Sequence, residues 1–192
     1  MNTIRRFLEN SYFHPNAFDD ELVYQIRACT ENQGGHAAFA SILWSPPVNH
    51  HHPNKKKNFY EYLTDLECDV LIVFGRDDPW CKPAFARKML QALDQRHTDK
   101  VHRYVELANV GHCPNHEAPQ AVAKVLSAWM DCVKEETTAT EEDTNNPRQT
   151  VPLIQGEQEV ISEQWGDIIA QERRTDDIPL SLVDRLATTF VG

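Results

Sequence analysis

Two loops of this 192-residue sequence carry side chains that could pass a proton between them. The first contains the neighbouring carboxylates Asp77 and Asp78, directly after an apolar run at 70–74. The second contains His112, after a weaker strand pattern at 101–107. A carboxylate beside an imidazole fixes the tautomer of the ring and stabilises its charged form, which is the acid–base half of a nucleophilic triad. We therefore expect an acid–base pair where the two strands end.

The nucleophile that such a pair would activate has no recognisable place in the sequence. The motif Gly-x-Ser-x-Gly does not occur. Ser41 and Ser45 lack the strand-to-helix turn that exposes a nucleophilic serine. Cys113 adjoins His112 in a loop, where neighbouring side chains tend to point apart. The sequence therefore predicts an acid and a base without a residue for them to activate.

Other interpretations of these residues remain open. Asp78 and His112 could be an ordinary turn residue and an ordinary loop histidine. The sets His112, Cys113 and His116, and separately residues 50–52, are conceivable metal ligands. Metal sites need converging ligands, and adjacent loop histidines more often face water. The chain has seven glycines and no phosphate-binding loop, so we predict neither a metal nor a nucleotide cofactor.

Composition limits the partners of the chain. At 41% hydrophobic residues the sequence can build one domain with a sizeable core. The formal charge is −10, and residues 131–192, with 14 acidic and 5 basic side chains, carry most of it. Nucleic-acid binding depends mainly on neutralising phosphates, so we predict no nucleic-acid partner. No apolar run approaches the roughly 20 residues of a membrane span.

Cysteine usage and the amino terminus bear on location. The five cysteines are odd in number and form no Cys-x-x-Cys pair, which predicts reduced thiols rather than a disulfide framework. Residues 1–8 include no apolar stretch long enough for a signal peptide. Glu9, Asp19 and Asp20 argue against a transit peptide at this end. We therefore predict a soluble intracellular protein.

The first quarter of the chain has helical periodicity. Apolar residues recur at helical spacing through residues 1–46, and Asp19 or Asp20 is placed to cap the second of three predicted helices. Prolines at 46–47 end the third helix, which runs through residues 37–43. A polar loop with three histidines and three lysines follows.

The middle of the chain alternates between strand and helix. The run at 69–74 is typical of a strand buried on both faces, and Pro83 is placed in the first turn of a helix. The strand around 102–107 alternates more weakly, so we expect it nearer a sheet edge. A further helix begins near Glu117. This order predicts an α/β fold with two parallel strands and right-handed crossovers, but two parallel strands do not make a stable sheet by themselves.

The last third of the chain differs in composition. Residues 134–147 are acidic and rich in threonine, which predicts a disordered linker. We predict two amphipathic helices after it, which dock on their own domain or bind a protein partner. Their apolar residues are Ile161, Trp165, Ile168 and Ile169 in the first helix, and Leu182, Val183, Leu186 and Phe190 in the second.

Residues 1–133, about two thirds of the chain, resemble the carboxy-terminal half of plant and algal α/β-hydrolases of the pheophytinase-like group. The resemblance is carried by Asp-Asp-Glu-Leu-Val at 19–23, Phe-Ala-Ser-Ile-Leu at 39–43, Val-Leu-Ile-Val-Phe-Gly-Arg-Asp-Asp-Pro-Trp at 70–80 and Gly-His-Cys-Pro-Asn-His-Glu-Ala-Pro at 111–119. Asp-Pro-Trp and Gly-His-Cys-Pro are fairly specific to the group. Residues 134–192 match no family in this way.

The resemblance implies roles and boundaries. Asp78, at the fourth position of Gly-x-x-Asp, would be the triad acid and His112 the base. The fold would be a partial α/β-hydrolase, with a helical cap-like segment at 1–58, the last two parallel strand–helix units at 59–133 and an acidic, partly disordered tail at 134–192. The serine nucleophile and the oxyanion hole are expected upstream of residue 1.

Members of the group remove ester-linked groups such as phytyl from chlorophyll derivatives in plastids. The resemblance therefore implies half of a carboxylic-ester hydrolase site for a small-molecule ester, and a plastid location by resemblance only. Three hypotheses follow. The chain is part of a hydrolase completed by upstream residues or a second chain, a non-catalytic relative that binds through its tail, or an incomplete gene product that is inactive alone.

Overall fold

The computed structural model describes residues 2–31, 33–45, 58–134, 152–156 and 158–177. Within these ranges the chain forms seven helices, four strands and a short 3-10 helix. In chain order they are α1 (Asn2–Ser11), α2 (Asp20–Glu31), α3 (Gly35–Leu43), α4 (Phe59–Thr64), β1 (Val70–Gly75), α5 (Pro83–Asp94), β2 (His102–Ala108), α6 (Pro114–Glu117), α7 (Pro119–Lys134), β3 (Glu159–Glu163), β4 (Gly166–Glu172) and the 3-10 helix Thr175–Asp177.

Helices α1, α2 and α3 form the amino-terminal part, as the sequence predicts. Asp19 caps α2, because its Oδ1 accepts the backbone N–H of Leu22 at 2.9 Å. The apolar faces of α1 and α2 meet in a cluster that includes Tyr12 and Val23. Trp165, from the last third of the chain, packs against the same cluster, so the two ends of the described chain are in contact.

The four strands form one sheet in the order β1-β2-β4-β3. Strands β1 and β2 are parallel and are connected through α5, with Val70 opposite His102 and Gly75 opposite Leu107. The prediction of two parallel strands with a helical crossover is confirmed. Strands β3 and β4 form an antiparallel hairpin, and β4 pairs antiparallel with β2. Two parallel strands are too few for a stable sheet, and the carboxy-terminal segment supplies the two further strands.

Both faces of the parallel pair are covered, which explains the continuous apolar run of β1. On one face Ile72 and Tyr104 pack in a cluster with α4 and α5 that contains Leu93. On the other face Val105 packs in a cluster with α7 and the hairpin that contains Val125. Pro83 occupies the first turn of α5, as predicted.

The expectation that the second strand lies near a sheet edge is wrong. Strand β2 lies between β1 and β4, and all its residues but the first are buried. Its weak alternation comes from charged residues that are paired rather than exposed. Arg103 lies 3.4 Å from a carboxylate oxygen of Glu172, and Glu106 is only 1% exposed.

The predicted amphipathic helix at 161–169 is also wrong, because these residues form the β3–β4 hairpin. In this hairpin, which has a two-residue turn, Ile161 lies opposite Ile168, seven residues further along the chain. A helix places residues at the same spacing on one face, so the pattern fits both structures. Gly166 follows the turn with a φ of 149°, a conformation that favours glycine.

Several predictions fall on residues outside the described ranges. They are the polar loop with its histidines at 50–52, the acidic linker from residue 135 onward, and the second amphipathic helix at 182–190. Among the described residues, no helix is both long enough and apolar enough to cross a membrane.

A buried carboxylate joins the hairpin segment to the rest of the sheet. Glu106 Oε1 accepts hydrogen bonds from Arg87 Nε and Nη2, at 3.2 and 3.1 Å, and from the Tyr104 hydroxyl at 2.8 Å. Its Oε2 accepts a hydrogen bond at 3.3 Å from Nε of Arg173, the residue directly after β4. One side chain of β2 therefore links α5 to the end of the hairpin.

Glu106→Gln should strongly destabilise the protein, because it leaves two guanidinium groups without a counter-charge in a largely buried site. Breaking a buried charge pair costs about 3–5 kcal/mol. Urea unfolding followed by circular dichroism measures the change. Glu31→Gln is the matched control: it removes an exposed pair with Arg27, for which we expect less than about 1 kcal/mol. Equal stability of the two variants would contradict the role given to Glu106.

Candidate active site

The loop after β1 holds Asp78 by its own backbone. Asp78 is 4% exposed, and its Oδ1 accepts the backbone N–H of Trp80 at 2.8 Å and of Cys81 at 3.0 Å. Aspartate commonly closes turns in this way. Because one carboxylate oxygen is committed to the turn, the other has a fixed direction.

The loop after β2 approaches the first loop through two glycines. A Cβ on Gly75 would lie 2.0 Å from the carbonyl oxygen of Gly111, and a Cβ on Gly111 would lie 2.2 Å from the carbonyl oxygen of Ser11. Side chains at either position would push the segments apart. The backbone N–H of His112 then donates to Ser11 O at 2.7 Å. The end of α1 therefore positions the histidine.

The two loops bring Asp78 and His112 into contact, with His112 Nδ1 2.8 Å from Asp78 Oδ2. Burial by itself would raise the pKa of Asp78, but the hydrogen bond from His112 and the N–H groups of Cys81 and Trp80 outweigh it and hold the pKa below its ordinary value. The carboxylate is therefore ionised at neutral pH and can accept the Nδ1 proton. This contact orients the imidazole and leaves Nε2 as the nitrogen available for proton transfer.

The ring of His112 is partly covered on one side. The indole of Trp80 lies 4.7 Å from it, centroid to centroid, at an interplanar angle of 56°, and Phe7 packs edge-on against Trp80 at 6.2 Å. The His112 side chain keeps 35% of its surface exposed. Within the described part of the chain, Nε2 of His112 makes no hydrogen bond. The ring is thus held by Asp78 and open to a reacting group.

The neighbouring carboxylate has a different task. Asp77 is exposed, and its Oδ2 accepts the backbone N–H of Asn109 at 2.8 Å, while its own N–H donates to Val110 O at 3.0 Å. Asn109 has a φ of 64°, in the left-handed region that asparagine tolerates. Asp77 therefore ties the two loops together through the backbone of Asn109 and Val110.

Glu117 supports the histidine loop from inside the protein. It is fully buried, and it accepts backbone N–H groups of His14 at 2.7 Å and of Gly111 at 2.6 Å. Burial raises the pKa of Glu117, although these N–H groups and that of Phe13 oppose the shift. The side chain connects the segment after α1 to the residue before His112.

The other candidate residues lie elsewhere. Cys113 shares a side-chain hydrogen bond with Tyr12, and burial is the main cause that raises the pKa of its thiol, so Cys113 is not an activated nucleophile. Ser41 is exposed on α3 and donates to Ala38 O at 2.7 Å. Ser45 is exposed beyond the end of α3.

Sequence reasoning missed two features of the site. In the described ranges, the group that brings potential metal-ligand atoms within 4.8 Å of one another is Asp78, Cys81 and His112, whereas the set that the sequence suggests around His112, for which we predict no metal, contains Cys113 and His116. The Asp-x-x-Cys spacing around a turn could have indicated Cys81. The second feature is the contact of Ser11 with the histidine loop. It is made by a backbone carbonyl, which every residue type has, so the sequence could not indicate it.

Comparison with known proteins shows a distant similarity to a plant enzyme. Over 131 residues the chain is 24% identical to chloroplastic pheophytinase of Arabidopsis thaliana. The match covers 67% of this chain and 24% of that protein, so the chain spans about a quarter of the length of this relative. No family model and no solved structure matches the sequence. The similarity agrees, at the level of the family, with the resemblance carried by the motifs.

Glu117→Gln should lower the free energy of unfolding by about 1–3 kcal/mol. The amide nitrogen cannot accept the backbone N–H that one carboxylate oxygen now accepts, so a buried donor loses its partner. Urea unfolding at neutral pH measures the loss. Glu9→Gln, in the exposed part of α1, is the control and should change stability by no more than about 0.5 kcal/mol. A neutral Glu117→Gln would remove Glu117 from this role.

Asp78→Asn should make stability less sensitive to acid. Because the pKa of Asp78 is lower in the folded protein than in the unfolded chain, its contribution is complete above the ordinary value of about 3.9 and is lost as pH falls through the lower folded value. The variant lacks this contribution. Its unfolding free energy, measured by urea titration between about pH 5 and 3, should therefore fall less steeply than that of the wild type. A steeper fall would show that the direction of the shift is wrong.

Proposed function

We propose that this chain supplies the acid and the base of a carboxylic-ester hydrolase of the α/β-hydrolase type. The observation that carries the proposal is the 2.8 Å contact between His112 Nδ1 and Asp78 Oδ2 at the ends of two parallel strands. Triad acids and bases come from such loops in this fold, and in this chain order. The distant similarity to pheophytinase supports the same type of enzyme.

In the proposed ester hydrolysis, His112 transfers the proton and Asp78 stabilises the charged form of His112. His112 Nε2 would take the proton of a serine hydroxyl as the oxygen attacks the ester carbonyl, and Asp78 would stabilise the imidazolium through Nδ1. The proton then passes to the leaving alcohol as the acyl–oxygen bond breaks. Water repeats the sequence and releases the carboxylic acid and the serine. His112 is the catalytic base, and Asp78 is a positioning residue that acts through it.

The serine and the oxyanion hole would come from polypeptide other than these 192 residues, in a longer product or a second chain. The open edge of β1 supports this part of the proposal. Among the described residues β1 pairs only with β2, so the backbone groups on its other edge have no strand partner there. Neither proline nor lysine protects that edge. Another strand of the same enzyme would complete the sheet there.

The substrate and the location are proposed from resemblance. We propose a phytyl-type ester of a tetrapyrrole related to pheophytin, cleaved in a plastid. Residues 1–58 would serve as the cap-like segment and 59–133 as the last part of the hydrolase domain. Residues 134–192 would be an appended tail, with its hairpin added to the sheet and its remainder able to bind a protein partner.

A second candidate is a non-catalytic, hydrolase-like binding protein, or a truncated product that is inactive alone. The absence of Gly-x-Ser-x-Gly from the sequence favours it. The two candidates differ in what the full-length transcript encodes. A reading frame that starts at Met1 would rule out hydrolysis by this chain alone, whereas a longer frame that encodes Gly-x-Ser-x-Gly would support the hydrolase.

In such a longer protein, His112→Ala should lower kcat for ester hydrolysis at least about 10³-fold, because no other group can take the serine proton. Release of the alcohol from a tetrapyrrole ester, measured by chromatography, gives the rate. His116→Ala is the control: His116 is exposed and lies in α6, so its variant should keep the wild-type rate within a few-fold. Unchanged hydrolysis in His112→Ala would overturn the assignment.

A further inference from the structure

One cysteine stands beside the acid–base pair and has no part in the proposed reaction. Cys81 follows Asp78 by three residues, at the end of the turn that Asp78 closes. One ligand atom from each of Asp78, Cys81 and His112 can be chosen so that all three lie within 4.8 Å of one another. These atoms are a carboxylate oxygen, a thiol sulfur and an imidazole nitrogen, contributed by two different loops.

We propose that Asp78, Cys81 and His112 form a binding site for a thiophilic divalent cation, with Zn²⁺ the ion that suits it best. Zinc binds cysteine sulfur at about 2.3 Å and histidine nitrogen or carboxylate oxygen at about 2.0–2.2 Å. Tetrahedral ligands at these lengths lie roughly 3–4 Å apart. The three atoms, which lie within 4.8 Å of one another, would have to approach by no more than about 2 Å to reach these separations.

The donor set selects among cations. Magnesium and calcium require oxygen ligands, which a thiol and an imidazole do not supply. A mixed sulfur, nitrogen and oxygen set matches a borderline-soft ion such as Zn²⁺. Three protein ligands leave a fourth position for water, as in zinc sites that are not closed by the protein.

The backbone already fixes the ligands. Asp78 Oδ1 accepts two backbone N–H groups, one of them from Cys81 itself, so Oδ2 keeps its direction. The N–H of His112 is bound to Ser11 O at 2.7 Å, which anchors the second loop. Such support of the ligands raises the affinity of a metal site, because little ordering remains to be done when the ion binds.

The ion can reach the site from solvent. The His112 side chain is 35% exposed and Cys81 is partly exposed, whereas Asp78 is 4% exposed. A cation would meet sulfur and nitrogen first and the buried carboxylate last. Its charge would compensate the ionised Asp78, whose Oδ2 otherwise contacts His112 Nδ1 at 2.8 Å.

Binding would have a consequence for the proposed hydrolase. A cation held by Asp78 and His112 replaces the hydrogen bond between them, so the pair could no longer act as acid and base. Zinc would then inhibit ester hydrolysis. This consequence rests on the proposed function, but the binding site itself does not, because it needs only residues of this chain.

Cobalt titration of the purified, reduced full chain tests the site, because Co²⁺ takes zinc sites and reports a thiolate ligand by a near-ultraviolet charge-transfer absorption. One equivalent of Co²⁺ should produce this absorption, and Zn²⁺ should abolish it by displacement. Cys81→Ser should lose the absorption and weaken Zn²⁺ binding at least about tenfold. Removing a residue that only supports a ligand already costs about that much, so removing a ligand should cost no less. Cys81→Ala provides a second variant, and circular dichroism verifies that each one folds.

Cys113→Ser is the matched control, since Cys113 adjoins His112 but bonds to Tyr12. It should keep the charge-transfer absorption and the Zn²⁺ affinity. The proposal is overturned if wild type gives no thiolate absorption, if the absorption survives in both Cys81 variants, or if Cys113→Ser abolishes it equally. Because the readout needs no nucleophile, a failure to bind would leave the hydrolase proposal standing, and a lack of hydrolysis would leave the cation site standing.

Discussion

Gly75 and Gly111 lie in direct contact at the ends of two parallel strands, and the geometry of the candidate site depends on that contact. A Cβ on Gly75 would lie 2.0 Å from the Gly111 carbonyl oxygen, and one on Gly111 would meet the carbonyl of Ser11. The two loops and the end of α1 are therefore stacked backbone against backbone. The 2.8 Å contact between Asp78 and His112 exists because no side chain separates the segments that carry them.

Buried carboxylates hold this arrangement together across long sequence distances. Glu117 accepts N–H groups from the segment after α1 and from the histidine loop, and Glu106 accepts from arginines on α5 and after β4. A buried carboxylate that lost these donors would cost several kcal/mol. Separating the amino-terminal helices, the parallel pair or the hairpin would break these hydrogen bonds. The fully packed structure is therefore favoured over structures in which one of these parts is detached.

The sequence correctly predicted those elements that are determined by residues close to them in the chain. The apolar run of β1, Pro83 at the start of α5 and the cap at Asp19 are of this kind, and so is the parallel pairing of two strands across one helix. The errors arose where the partner is distant. Glu106 makes β2 resemble an exposed strand until Arg173, 67 residues away, is known to pair with it. Ile161 and Ile168 fit a helix face and a hairpin pair equally well.

The contact between Asp78 and His112 is organised by the backbone around it. Asp78 Oδ1 is satisfied by backbone N–H groups and His112 is anchored by Ser11, so their geometry requires no contact with a serine. Preorganisation of this kind is what proton transfer needs, because no reorganisation is left for the reaction step. It is also what a cation site needs. A serine hydroxyl at Nε2 would make the pair half of a triad, whereas an ion shared with Cys81 would make the same two side chains ligands. Under these two proposals, the group that binds beside His112 would decide between proton transfer and cation binding.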